Sequence, residues 1–562
     1  MITFQKITQA ITLAVFIILI LFAAYPFDEG FPADFFLRLD PLAAVGTMIA
    51  SRTFMLYLLP GLAVLAASLM LGRFFCGHIC PMGTMLDILQ GLTRRKKIRA
   101  KNRSYEGSAQ FRSWKYLGLL FILASAIGGV SLVFLGSPLS LITRLFALVL
   151  HPVVLLLGEL GLQASAPLAA RLGFSSLLYS ELTPRFFATN YFVFCLFAVI
   201  LALSYVQPRF WCRNVCPAGA LMGLFSRHAL LKRQVSDSCS GCGRCIGKCP
   251  VSAISESPKR TVHSECIVCM RCKEICPESA IAFSRTTVVP DETLRAPDPT
   301  RRGILLGIGS GLFSAGLLQT SVDQPNTLRR ERTLVDPELI RPPGAVLEPD
   351  FLNRCIRCGE CMKACPTNTL QPVWLKAGLE GIFSPVVIPR LAGCATNCNV
   401  CGQVCPTGAI RNLPLIEKNH AKIGTASVIR HSCLAWEQDK KCLVCDEVCP
   451  YNALSFRPVP GLRNPVPFVL ANRCTGCGWC ESKCPVNGSS AIRVNVIGEL
   501  RLSGGSYVDK AREHGFVFKT KDKSHDLIAP GTFDAPGGIE NDPFQGAPES
   551  PTMGLPPGFS PK

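Results

Sequence analysis

Residues 7–25, 54–71, 116–135 and 186–206 are almost wholly apolar, and each run approaches the roughly 20 residues an α-helix needs to cross a hydrocarbon core. A fifth, shorter and glycine-rich run fills 303–318. Beyond it the pattern changes to polar stretches dense in cysteine and proline, with short apolar segments between them. The pattern predicts an α-helical membrane domain followed by small α+β units. Residues 139–162 fit less simply, because Arg144, His151-Pro152 and Glu159 interrupt an apolar stretch.

Charge orients the helices. The formal net charge is +19, yet the densest basic run, Arg94 to Arg103, lies just after an apolar span, where the positive-inside rule places Lys and Arg. Arg209, Arg213, Arg227, Lys232 and Arg233 follow another span. Both regions read as cytoplasmic, which argues for membrane flanks and against a nucleic-acid partner. A full crossing by 139–162 would put Arg209–Arg233 outside. That stretch is therefore expected as an external, interfacial or re-entrant hairpin whose His151 and Glu159 could line a cavity, or, as the plainer alternative, as a helix lying in the interface. Arg301-Arg302 before the fifth run resembles a twin-arginine export signal; the plainer reading is a short anchor. Either way the chain beyond about 320 is external.

Twenty-nine cysteines invite a disulfide framework, but their spacing points to metal. Cys239, Cys242, Cys245, Cys249-Pro250 and Cys266, Cys269, Cys272, Cys276-Pro277 repeat C-x2-C-x2-C-x3-C-P, the two-cluster ferredoxin spacing, in which the fourth cysteine serves the neighbouring cluster. Four more motifs follow: Cys355, Cys358, Cys361, Cys365; Cys394, Cys398, Cys401, Cys405, with one extra residue; Cys433, Cys442, Cys445, Cys449, with a longer insertion; and Cys474, Cys477, Cys480, Cys484. Six motifs imply six [4Fe–4S] clusters. Spacing does not fix which external motifs pair. Zinc is disfavoured by the doubled C-x2-C-x2-C-x3-C-P.

Two further pairs, Cys76/Cys80 and Cys212/Cys216, each followed by proline, sit where a span ends on the basic side. They suggest an additional metal, redox or quinone-proximal site, with a structural helix-end motif as the competing reading. His78 and Arg209 lie at the same level, and Cys195 reads as packing. No C-x-x-C-H, GxGxxG or Walker lysine is present, and no catalytic residue is identified.

Residues 1 to about 285, with two C-x3-C-P motifs and a two-cluster ferredoxin, resemble the NapH family, related to the membrane portions of NosR and CcoG. Residues 300–500, with Arg301-Arg302 and the Cys355 motif, resemble the MauM/NapG ferredoxin family. The resemblance implies a fusion of two proteins that act together in the bacterial inner membrane, a quinol-oxidising electron-transfer component. It would draw on the quinone pool and serve a periplasmic redox protein such as a c-type cytochrome or a reductase. A maturation factor supplying electrons to a partner metalloenzyme is the alternative. The expected organisation is a membrane domain (1–206), a cytoplasmic two-cluster domain (207–300), an anchor (301–322), a linker (323–350), a periplasmic four-cluster domain (351–500) and a polar tail (501–562), disordered from about 529.

Overall fold

The computed structural model describes residues 4–26, 32–92, 111–172, 185–285, 300–319 and 339–520. The Arg94–Arg103 run, residues 320–338 and the tail from 521 lie outside the described residues, as do the expectations that rest on them; the last part of the expected linker (323–350) is already module, since Ile340 bridges to Val387 and Ala345 to Ile410.

The helical part is built twice over. Its first half runs through α1 (Phe4–Phe22), α2 (Pro41–Ser51), α3 (Leu59–Leu71) and α4 (Pro81–Leu92). The second runs through α5 (Ser113–Ile127), α6 (Pro138–Leu145), α7 (His151–Leu172), α8 (Asn190–Val206) and α9 (Pro217–Ser226). Sequence marks the correspondence. Asp40-Pro41-Leu42 opens α2 and Ser137-Pro138-Leu139 opens α6; Arg73-Phe-Phe-Cys76-x3-Cys80-Pro-x-Gly83 leads into α4 and Arg209-Phe-Trp-Cys212-x3-Cys216-Pro-x-Gly219 into α9.

Packing follows the same correspondence. Helix α1 lies on α4 as α5 lies on α9; across the halves α2 meets α9 as α6 meets α4, and α3 meets α9 as α8 meets α4. Two copies in parallel orientation are thus related by a pseudo-two-fold axis, with α7 as an insertion in the second. Proline at the first helical position and an oxygen-bearing cap start both α2 and α6: Asp40 accepts from Leu42 N at 2.9 Å, and Ser137 from Ser140 N at 3.1 Å.

Among the described residues, two helices are long and apolar enough to cross a membrane, Phe4–Phe22 and Pro138–Pro167. The second replaces the hairpin expected at 139–162 by a single helix, the form of the plainer alternative. The chain continues as helix from 138 to 172 through a π turn at Phe146–Leu150 and does not fold back. Its first half is buried, whereas Val153, Val154, Leu156, Leu157 and Leu160 face outwards. Helix α10 (Arg301–Gln319) does not meet the same criterion. Its glycines have a packing role: Gly303, Gly307, Gly311 and Ala315 form one face against α5, where a Cβ on Gly311 would stand 2.5 Å from Phe121 O.

The rest is two small α+β modules. In the first, β1 (Leu231–Val235) pairs antiparallel with β2 (Ile281–Arg285) around short helices. The second, residues 339–520, includes α11 (Glu348–Arg354) and, among its described residues, three antiparallel strand pairs: Leu370–Pro372 with Pro385–Val387, Thr425–Val428 with Ile492–Asn495, and Leu454–Arg457 with Val466–Val469.

Helix α1 measures the gap between the modules. Near its start, Gln5 accepts from Arg271 Nε of the first module at 2.7 Å. Near its end, Lys363 of the second module donates to the carbonyls of Ile20, Leu21 and Ala23. Gln5 and Ile20 are about 22 Å apart at 1.5 Å per residue. The two modules therefore dock on opposite ends of the helical layer.

Candidate iron–sulfur sites and their relatives

Each regular motif wraps a small cavity because its backbone turns left-handed between the cysteines. Val268 and Met270, like Gly241 and Gly243 or Gly476 and Gly478, hold positive φ directly before the short helix that carries the third cysteine. Glycine suits these positions, and the non-glycine residues there are strained by comparison. A second left-handed residue follows the Cys-Pro: Ser252, Ser279, Asn368, Gly408 and Asn452 all have φ between 47° and 65°. That turn swings the next amide back onto the cysteine, so Ala253 N donates to Cys249 Sγ at 3.3 Å and Ala453 N to Cys449 Sγ at 3.4 Å. The alanine-containing segments after the motifs supply these donors.

The cavities have crossed linings. Cys266, Cys269 and Cys272 line one of about 330 Å³ with Cys249. Cys355, Cys358 and Cys361 line another of about 380 Å³ with Cys405. Cys433, Cys442 and Cys445 share about 400 Å³ with Cys484, and Cys474, Cys477 and Cys480 share about 350 Å³ with Cys449. Cys394, Cys398 and Cys365 all lie in electrostatic reach of Cys401. Cys239 acts on Cys245, and Cys276 packs in the same apolar cluster. The four motifs of the second module therefore pair in sequence order, first with second and third with fourth. Among the described residues no three His, Cys, Asp or Glu side chains close on a point as a single ion requires. Thiols spread around a cavity suit a cluster, whose irons are separate. Burial first, and then the neighbouring thiols, push Cys445 up to about 12, so loading a cluster there expels a proton.

The four remaining motif cysteines also meet. Cys80 lies in electrostatic reach of Cys76, Cys212 and Cys216, and Cys216 Sγ accepts from Gly219 N at 3.3 Å at the start of α9. Cys76 packs against Ile267, Val251 and Ala253 beside Cys249, Cys266 and Cys269. Around them run two buried charge networks. Glu265 takes Arg73 at 3.0 Å, Lys115 at 2.5 Å and Arg112 at 3.8 Å; Asp87 takes Arg209 at 2.7 Å and Arg271 at 2.6 Å.

Other candidates fall elsewhere. His78 is buried and stacked on Phe74 at 4.1 Å, not solvated. His151 is half-buried near Lys363 and Arg185, while Glu159 accepts from Gln163 one turn on. Cys195 is exposed on α8 and does not pack in the core.

Family models match in four places: a 4Fe–4S binding domain over residues 53–99, the LdpA Fe–S cluster-binding domain over 207–260, and a 4Fe–4S dicluster domain over 354–409 and 440–487. The methylamine utilization ferredoxin-type protein MauM of Methylorubrum extorquens is 36% identical over 214 residues, 37% of this chain and 93% of that protein. The chain belongs to the MauM/NapG ferredoxin-type family. MauM of Paracoccus denitrificans is 40% identical over 30% of this chain and 75% of its own length. The ferredoxin-type protein NapG of Escherichia coli is 35% identical over 28% and 69%. No solved structure matches. The chain is thus an iron–sulfur electron-transfer protein of ferredoxin type with 4Fe–4S binding domains.

Proposed function

We propose that this protein carries electrons across the bacterial inner membrane, from membrane quinol through [4Fe–4S] clusters to a redox protein on the periplasmic side. The observation that carries this reading is the docking of two cysteine-rich modules at opposite ends of α1, about 22 Å apart. Between them stand helices whose outer faces are apolar, with Phe4, Ile11, Phe22, Leu157, Tyr191 and Phe194 all exposed. Lipid covers such faces at no cost, and water does not.

The six crossed cysteine sets would each hold one cluster, with the first module cytoplasmic and the second periplasmic. When bound, a cubane supplies a one-electron couple whose potential the surrounding charges and amide donors tune. The chain's part is to space the thiolates and to exclude water from the inner sets. It also keeps sets of one module close enough to exchange electrons.

Purified protein in liposomes, given a short-chain quinol and no partner enzyme, should bleach its cluster absorbance. No bleaching by quinol, with normal reduction by dithionite, would remove quinol as donor. Reporter fusions after Ser284 and after Pro485 should report cytoplasm and periplasm; one compartment for both would end the transmembrane reading.

A further inference from the structure

We propose that Cys76, Cys80, Cys212 and Cys216 together hold a seventh iron–sulfur cubane, on the pseudo-two-fold axis, and that this centre relays electrons between the two modules. The relay rests on the transmembrane reading above; the cluster itself does not.

Symmetry is the first ground. Each half supplies the same R-F-[FW]-C-x3-C-P-x-G element, and the arginine of each half crosses to the other. Arg209 donates to Cys76 O at 3.0 Å and lies 3.5 Å from where a Cβ on Gly83 would stand. Arg73 lies 2.6 Å from the same point on Gly219. Two pairs of thiols brought face to face in this way form a four-ligand set, two from each half, which is the count a cubane takes. A side chain at Gly219 would collide with the crossing guanidinium of Arg73, and one at Gly83 would stand 2.9 Å from Cys76 O, the carbonyl that Arg209 holds.

Charge is the second. Glu265 faces three buried cations, and Asp87 faces the buried Arg209 and the partly exposed Arg271, so each network carries excess positive charge. Buried charge of one sign requires a counter-charge nearby. Four thiolates around a cluster are anionic overall and provide it. The start of α9 points the same way, its positive end at Cys216. Arg73 Nε is buried and has no hydrogen-bond partner; its side chain is 1% exposed. A cluster sulfide or thiolate would accept from it.

Position is the third. On one side, a Cβ on Gly77 would stand 2.4 Å from Ile267 O, inside the Cys266 loop. On the other, Pro217, next to Cys216, packs on Gly136, where a Cβ would stand 2.7 Å from its Cγ. Four residues later Ser140 Oγ donates at 2.6 Å to Ile356 O, beside Cys355. The four thiols thus adjoin the Cys249/Cys266 set directly and reach towards the Cys355/Cys405 set through Pro217 and the start of α6. In the relay, one electron leaves the reduced cluster of the first module, reduces the seventh centre and passes to the cluster of Cys355. The first is oxidised, the last is reduced, and no bond forms or breaks. The reverse direction uses the same path.

The test uses the full chain, purified without oxygen and reconstituted in quinone-free liposomes. Iron and sulfide should each be near 28 per wild-type chain, and near 24 in the C80S/C216S protein with its other cluster spectra unchanged. Membrane-impermeant dithionite added on one side should reduce the clusters of both modules in wild type, and only those of the facing module in the variant, at least tenfold slower on the far side. Because C80S/C216S can fail to accumulate, the wild-type iron count and a Mössbauer count of cubane iron stand on their own. About 24 irons in fully loaded wild type, or a Cys–Cys disulfide among the four, overturns the cluster. Twenty-eight irons with far-side reduction that needs added quinone overturns the relay and keeps the cluster. Failure of quinol to reduce the protein bears on the donor and leaves both intact.

Discussion

Arg209 holds Asp87 through two hydrogen bonds, 2.7 Å from Nε and 2.9 Å from Nη2, although the two residues belong to opposite halves of the helical repeat. Arg271 of the first module takes the same carboxylate at 2.6 Å, and Gln9 of α1 donates to it at 3.1 Å. Asp87 thereby joins four parts of the chain at one buried point. The charges of Arg209 and Arg271 hold its surroundings together only while the carboxylate is present.

Replacing Asp87 by asparagine leaves two guanidinium groups without their counter-charge. Removing one partner of a buried pair costs about 3–5 kcal/mol. D87N should accumulate poorly in the membrane, and in the protein that survives the first module should be cut by protease between 227 and 231 more readily than in wild type. Wild-type accumulation and protease resistance would show that the network contributes little.

Glu348 predicts an acid dependence for the second module, the outer one in the proposed topology. Burial alone would raise its carboxyl, but Arg341, through charge and hydrogen bonds of 2.5 to 3.1 Å, and Arg501 at 2.7 Å bring it down to about 2. A carboxyl depressed in the fold stabilises it above the unfolded value near 4.5, and the contribution drains away as pH falls from about 4.5 towards 2. E348Q should therefore unfold more easily than wild type at pH 6, and the gap between the two should close across that window. A gap that does not change with pH would mean that packing, not charge, is what the substitution disturbs.

Much of this arrangement is legible as local pattern. The C-x2-C-x2-C-x3-C-P spacing locates the cavities, since one tight loop positions three thiols without help from the rest of the fold. The pairing of motifs is not local: Cys405 reaches the Cys355 loop from 44 positions beyond Cys361, and spacing carries no record of that. Helix α2 escapes a search for spans for a different reason: it is only 11 residues long, and its start is marked by Asp40, as that of α6 is by Ser137, rather than by hydropathy. Those two residues occupy the same place in the repeat and touch, Ser137 Oγ donating to Asp40 Oδ2 at 2.6 Å. The glycines of α10 look like an export signal when read alone, but become a helix-packing face once α5 is beside them.

Lys363 offers a test of how the outer module is seated. Its Nζ donates to Ile20 O, to Leu21 O at 3.3 Å and to Ala23 O at 2.9 Å, filling carbonyls that the end of α1 would otherwise leave open. K363M should cost about 1–3 kcal/mol through those unsatisfied groups. Amides around 20–25 should exchange faster with deuterium, while the cavities around Cys433 and Cys474, distant in the module, keep wild-type protection. Uniform loosening of the whole outer module would instead assign Lys363 a role in folding it.

Crossed ligation in the outer module yields a paired prediction. Cys405 lines the cavity of Cys355, Cys358 and Cys361, whereas Cys365 lies with Cys394, Cys398 and Cys401. C405S should damage the cluster of the first three cysteines, although position 405 belongs to the second motif. C365S should damage the cluster of Cys394, Cys398 and Cys401. Each substitution should remove about four irons or convert one cubane to a three-iron form, and the signals lost in the two variants should differ. In the relay the electron enters this module at the Cys355 set, beside which Ser140 of α6 donates to Ile356 O. C405S should therefore slow reduction of every outer cluster by electrons arriving through the membrane, while C365S should leave the reduction of the Cys355 cluster at its wild-type rate. If C405S instead alters the signal of its own motif, each loop closes on itself, and the crossed linings of the cavities do not describe the ligands.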